Sequence, residues 1–164
     1  MRGGVAAVAL AAALAAVGCS SKSGDYTGIG PYRVDRTKLK DATGRCEPTD
    51  LPDGRKGTWC YLQPELRLAG APAAVDLYFA GSEPTAPVIE IQLQVRGCNE
   101  SDVSMWLRKS FGAPTEERAT WVAWETSKLY VIGELPSAPG RCLVRALPRS
   151  ERAEFERLRA AAPR

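Results

Sequence analysis

Ile89-Glu90-Ile91-Gln92-Leu93-Gln94-Val95 is the stretch whose reading decides the fold. Apolar and polar residues alternate strictly, the period of two of an extended chain whose successive side chains point to opposite faces. A strand apolar on one side and polar on the other belongs to an antiparallel sheet, with one face on a core and one in water. Upstream, Val75, Leu77 and Phe79 alternate with Asp76 and Tyr78 and predict a second such strand. Thr58 to Leu62 and Glu65 to Ala69 read as shorter extended pieces. The turn-rich run Glu47-Pro48-Thr49-Asp50-Leu51-Pro52-Asp53-Gly54 predicts no regular element. Asp35 to Ala42 predicts a short helix, capped by Asp35, anchored by Leu39 and stopped at Gly44.

Downstream, Asn99 or Ser101 caps a helix with Asp102 in its first turn, where the helix dipole favours a carboxylate. Asn99-Glu100-Ser101 also fits a glycosylation sequon, but helix capping is the better use of it. Val103, Trp106, Leu107 and Phe111 form one apolar stripe at spacings of three and four, and Gly112 and Pro114 end the helix. Strands follow at Thr120 to Glu125, Lys128 to Glu134 and Arg141 to Leu147, the first two joined as a hairpin at Thr126-Ser127. A last helix runs from a Ser150 cap to about Ala161, with Phe155 and Leu158 inward. Arg152 with Glu156, Glu154 with Arg157, and Glu156 with Arg159 support its wet side.

This order predicts an α+β fold, an antiparallel sheet with helices packed on one face. A faint echo suggests a degenerate duplication of a helix-plus-strands unit. Leu39 to Gly44, Trp59 and the Val75 strand line up with Leu107 to Gly112, Trp121 and the Val144 strand. The helix-then-three-strands pattern loosely resembles the small envelope folds of the SmpA/OmlA and β-lactamase-inhibitor-protein types. That resemblance is topological and carries no functional residue with it.

The N-terminus speaks about location. Val5 to Val17 is an unbroken apolar run behind the single charge of Arg2. As a helix it would rise only about 20 Å, short of a hydrocarbon core of about 30 Å, so it reads as a signal h-region rather than a span. It ends in Ala16-Val17-Gly18-Cys19-Ser20-Ser21, which resembles the lipobox of bacterial lipoproteins, departing from it at Ala16 where leucine is most common. The resemblance implies that residues 1–18 are removed and that Cys19 is acylated. It further implies anchorage in a bacterial envelope membrane, with Ser20 matching the outer-membrane sorting pattern. Ordinary cleavage after Ala13-Leu14-Ala15, leaving Cys19 free, is the alternative. Residues 19–30, polar and Gly/Ser-rich, read as a flexible tether, and 31–164 as one domain.

Cysteine parity favours the lipid reading. Of five cysteines, setting Cys19 aside leaves an even set, Cys46, Cys60, Cys98 and Cys142, suited to an oxidising compartment. Three pairings are open. Cys46–Cys60 is preferred because it closes the turn-rich run, and Cys98–Cys142 because it ties a helix start to the last strand. A metal site competes poorly, since there is no CxxC and no histidine.

The absence of histidine removes His-based triads and imidazole acid–base chemistry. The charge of +3 falls to +2 once Arg2 leaves, 21 Lys and Arg against 19 Asp and Glu, which gives no footprint for nucleic acid. Asp50 and Asp53 around Gly54 lack the ligand pattern of a calcium loop, and Glu116-Glu117 read as solvated charges. No serine lies in a G-x-S-x-G setting. No cofactor is implied. Trp121 and Trp124, three apart in a strand, point to opposite faces. One is expected in the core with Trp106 and Phe111, and the other is either a surface anchor for a partner or covered by a helix or loop. The expected function is therefore non-enzymatic: a lipid-anchored envelope protein that binds another envelope protein or the cell wall. An enzyme inhibitor and a carrier of a small apolar ligand are the rivals. An exposed Trp on a sheet face would favour protein binding, and a sizeable apolar pocket a carrier.

Overall fold

The strand around Ile91 lands at the centre of the molecule. A computed structural model describes residues 26–163, so the leader, Cys19 and most of the tether lie outside the described residues. A small hairpin comes first, β1 (Gly28–Ile29) and β2 (Tyr32–Arg33). The first half of the main sheet follows: β3 (Arg45–Asp50), β4 (Lys56–Tyr61), β5 (Leu66–Leu68), β6 (Ala71–Phe79) and β7 (Val88–Arg96). Helix α1 (Glu100–Phe111) leads to the second half: β8 (Glu116–Arg118), β9 (Trp121–Glu125), β10 (Leu129–Ala138) and β11 (Arg141–Pro148). Helix α2 (Arg152–Ala161) closes the chain.

All pairings in the sheet are antiparallel, in the order β3-β4-β6-β7-β11-β10-β9-β8, with β5 beside the start of β6. Each half is a meander, and the two meet at the β7–β11 seam. The α+β architecture expected from the alternation is present. The duplication echo meets a different correspondence: the first half has five strands and the second four, and by position in the order β11 matches β7, not the Val75 strand β6.

The two helices do not share a face. On the first face, Val75, Leu77, Leu93, Val131 and Val144 pack against Val103, Leu107 and Phe111 of α1, and Ile29, Tyr32 and Val34 join the same core. On the second face, Trp121, Ala123, Tyr130, Ile132 and Leu147 pack against Phe155 of α2. The expectation of helices on one face is corrected accordingly. β9 and β10 are apolar on both sides, and each apolar side needs a cover. α2 covers only the β8–β11 half of the second face.

Several local expectations change for physical reasons. Residues 26–30, read with the tether, belong to the folded body: Ile29 is 2% exposed, and the Gly28–Ile29 strand pairs with Tyr32–Arg33. The helix expected over Asp35 to Ala42 shrinks to a 3-10 turn at Leu39–Asp41. Its backbone is spent elsewhere, since Leu39 N donates to Ala86 O, Lys40 N to Pro84 O, and Val88 N to Thr37 O. The first four residues of the turn-rich run, Glu47 to Asp50, belong to β3, an edge strand in which Pro48 is tolerated because an edge can spare a donor. Glu116 and Glu117, read as solvated charges, lie in the short edge strand β8, where Glu116 is half-buried and paired with Arg118 and Arg159.

Elsewhere the local signals hold. Asn99 Oδ1 accepts from Ser101 N and Asp102 N, and Gly112 sits at φ 84° beyond α1. Both preferred disulfides form, Cys46–Cys60 across β3 and β4, and Cys98–Cys142 from the start of α1 to β11. Their sequence separations of 14 and 44 residues correspond to about 3 and about 4 kcal/mol of chain-entropy stabilisation.

Candidate functional site

With α2 over only half of the second face, the β3-β4-β6-β7 half carries its polar alternates without a covering helix. Here Trp59 and Tyr61 of β4 and Tyr78 of β6 make a row. The Trp59 ring lies 4.6 Å from Tyr61 and stacks at 6.4 Å on Tyr78, centroid to centroid. All three are half-buried, chiefly an aromatic surface rather than a core. The Trp59 indole Nε1 is buried, and the Asp76 carboxyl is the polar group beside it, approached without good hydrogen-bond geometry. Glu47 of β3 accepts from the Tyr61 hydroxyl, and Asp76 accepts from Gln94 at 3.0 Å. Burial pushes the Asp76 carboxyl above its ordinary range, against the pull of Gln94 and of the neighbouring Trp59 indole. Burial also pushes the Tyr78 phenol up, reinforced by the charges of Glu90 and Asp76.

Toward α2 the row runs into a cleft of about 570 Å³. Its floor is Tyr78, Glu90, Gln92 and Arg145, all on the second face by register. One wall is the β3–β4 loop, with Leu51 and Pro52, and the other is the first two turns of α2, with Ala153, Glu154 and Arg157. The walls are tied across the top: Arg55 pairs with Asp53 on its own loop and donates to Glu151 at 2.6 Å. Gly57 lets that loop fold down. A Cβ there would meet Phe79 O at 2.6 Å and the Leu51 side chain at 2.9 Å.

Glu90 is the unusual group. It sits at a polar position in the alternation of β7, yet it is 8% exposed. Its Oε1 accepts from Arg145 Nη1 at 2.9 Å and from Gln92 Nε2 at 2.9 Å. Burial pushes its pKa up, and the Arg145 charge and these hydrogen bonds pull against that. Arg145 Nε is buried without a hydrogen-bond partner, with Glu134 Oε1 3.6 Å away. Ile89 leaves the core face because a register shift at Tyr78/Phe79 pairs Phe79 with Val88, and it lines the cleft instead.

The residues expected to bind are placed differently. Trp121 is 3% exposed and Trp124 1%. They do point to opposite faces, but each face is covered there. Trp121 packs with Phe155 under α2, with the Arg118 guanidinium 5.3 Å from its ring. Trp124 lies in the core under α1 and donates from Nε1 to Gly112 O at 2.9 Å. Neither presents an anchor at the surface. Trp106 is half-buried at the core margin, edge-on to Phe111 at 6.3 Å. Cys19 lies outside the described residues. Asp50 and Asp53 border the cleft, paired to Lys56 and Arg55, and among the described residues no cluster of His, Cys, Asp and Glu is arranged to hold a metal.

What sequence reasoning missed is the pairing of Trp59, noticed only in the echo, with Tyr78, and of Glu90 with Arg145. An arginine between Val144 and Ala146, in a strand expected to have a wet face, gave no sign of its partner 55 residues away. No protein-family model, no curated protein and no solved structure matches this chain.

Proposed function

We propose that this is a non-enzymatic binding protein of the bacterial envelope, lipid-anchored through Cys19, which docks a protein partner on the open half of its second sheet face. The observation that carries the reading is the aromatic row of Trp59, Tyr61 and Tyr78 on the half-face that α2 leaves uncovered. Aromatic residues with a polar handle suit protein interfaces, combining a large contact area with a hydrogen-bonding tip. The Tyr61 hydroxyl, at the exposed end of the row beside Glu47, is such a tip. The adjoining cleft is lined by both carboxylates and guanidinium groups. Such a lining disfavours the apolar-carrier reading, because burying an apolar ligand against charged groups strips them of water. The membrane part of the proposal rests on the lipobox-like junction at Cys19 and on the even cysteine set that remains.

Site-specific photocrosslinking from intact envelopes tests the docking. A photoreactive phenylalanine at Tyr61 should trap a discrete protein. The same probe at Met105, 60% exposed on α1 at the other face, should not. Trp59→Ala should abolish the Tyr61 adduct while leaving the melting temperature near that of the parent. Identical adducts from both positions, or a Tyr61 adduct indifferent to Trp59→Ala, would refute the docking face. Cys19→Ala should abolish fatty-acid labelling and release the protein from membranes; unchanged membrane retention overturns the anchor.

A further inference from the structure

We propose that the cleft beneath α2 is a pocket for a cationic side chain, arginine or lysine, presented by the protein that docks on the open half-face. The inference deepens the docking reading and rests on it. Its first support is the state of Glu90. One carboxylate oxygen, Oε1, takes both available hydrogen bonds, from Arg145 and Gln92. The other, Oε2, accepts none, and it is not among the buried side-chain atoms sealed without a partner. A carboxylate has about four acceptor sites. An otherwise buried carboxylate at the floor of a cleft thus keeps one oxygen for whatever enters.

The second support is the charge balance. Five carboxylates line the cleft against three guanidinium groups, and each guanidinium is already engaged. Arg55 is held by Asp53 and Glu151, Arg145 by Glu90, and Arg157 by Glu154. Asp50 is offset by Lys56 just outside the lining, which leaves an excess of one negative charge, so a cation and not an anion balances the set. The third is shape. Leu51 on the loop wall, with Ile89 and Leu147 beside the charged groups of the floor, gives the cleft apolar flanks. An aliphatic stem ending in a charged head fits that lining, because arginine and lysine bury their methylenes while the head seeks a polar partner. Arginine matches best, since its planar fork can address a carboxylate oxygen and a neighbouring acceptor together.

Titration of the disulfide-bonded protein with Nα-acetyl-arginine amide, Nα-acetyl-lysine amide and the neutral isostere Nα-acetyl-citrulline amide tests this, read by amide NMR shifts. Both cations should shift Glu90, Leu147 and Ala153 in a saturable way with a Kd of about millimolar, and citrulline should not. Glu90→Gln should weaken binding by at least about tenfold. Ala153→Trp, which fills the cleft from α2, should abolish it, and this substitution at an exposed helix position serves if Glu90→Gln fails to fold. Trp59→Ala should leave cation binding unchanged. Cation binding that survives Trp59→Ala while the Tyr61 adduct is lost separates the pocket from the docking face. Citrulline binding as tightly as arginine, no saturable shifts up to about 10 mM cation, or full binding by Ala153→Trp would overturn the pocket.

Discussion

Replacing Arg145 by methionine removes one partner of a buried pair while keeping an unbranched side chain of similar reach. The side chains of Arg145 and Glu90 are 18% and 10% exposed. Removing one member of such a pair leaves the other charged and undercompensated, which costs about 3–5 kcal/mol. The loss should depend on pH in a definite direction. Glu90 already has a raised pKa, so the folded state holds its proton more tightly than the unfolded state does. The stability from that proton is present at low pH and is lost as pH rises from the ordinary carboxylate range through the folded pKa. Without Arg145 the folded pKa rises further, and the window of loss extends upward. The destabilisation should therefore grow with pH, by up to about 1.4 kcal/mol per unit between the two folded pKa values. Urea unfolding with disulfides intact, at several values between pH 5 and 8, measures this. Adding Glu90→Gln to the variant should recover most of the loss, giving a large coupling in the double-mutant cycle. A loss below about 1 kcal/mol, or one that does not change with pH, would show that the pair is not desolvated as described.

Other substitutions probe the two covered faces and the loop. Phe155→Ala should cost about 3–5 kcal/mol in chemical denaturation, since the ring is 1% exposed and stacks on Tyr130 at 4.2 Å; a loss under about 1 kcal/mol would mean α2 is not docked. Gly57→Ala should destabilise by about 1–3 kcal/mol through its clash with Phe79 O and Leu51, and the cleft amides should shift with it; an unshifted spectrum would count against the loop's placement. Non-reducing peptide mapping should recover only Cys46–Cys60 and Cys98–Cys142 among these four cysteines, any other pair contradicting the sheet register. At Glu116, partial burial pushes the pKa up, but hydrogen bonds and charge from Arg118 and Arg159 outweigh it and hold it low. Its contribution is present above the ordinary carboxylate range and lost as pH falls through the lowered value. Glu116→Gln should therefore flatten the acid limb of the stability curve, by under about 1 kcal/mol at this partly exposed site.

Features with local causes were legible in the sequence. The β7 alternation, the Asn99 cap, the Val103–Leu107–Phe111 stripe and the ion pairs of α2 each depend on residues within one element. Features set by remote covers were not. Whether Glu90 is wet depends on a loop some 40 residues before it and a helix some 60 after it, about which a period of two is silent. The same holds for Trp121 and Trp124. Their opposite orientations follow from spacing, but burial of both follows from α1 and α2 taking opposite faces. Pro48 read as a turn because a proline in a central strand would be disruptive; the sequence does not say that β3 is an edge. Asp35 to Ala42 had helical signals, and long-range pairing with residues 84–88 displaced them.

The seam between the two meanders also dictates an order of assembly. Every other neighbouring pair of strands in the long order comes from the same half, whereas β7 must wait for β11, the last strand made. Until then Ile91, Leu93 and Val95 belong to a strand with an unsatisfied ladder on one side, a template for intermolecular pairing in a nascent chain. The Cys46–Cys60 bridge can already exist at that moment, while Cys98–Cys142 requires Cys142 to arrive opposite Val95. A chain bearing the first bridge alone is thus the vulnerable intermediate, and the second bridge is the covalent record that its sticky flank has been closed.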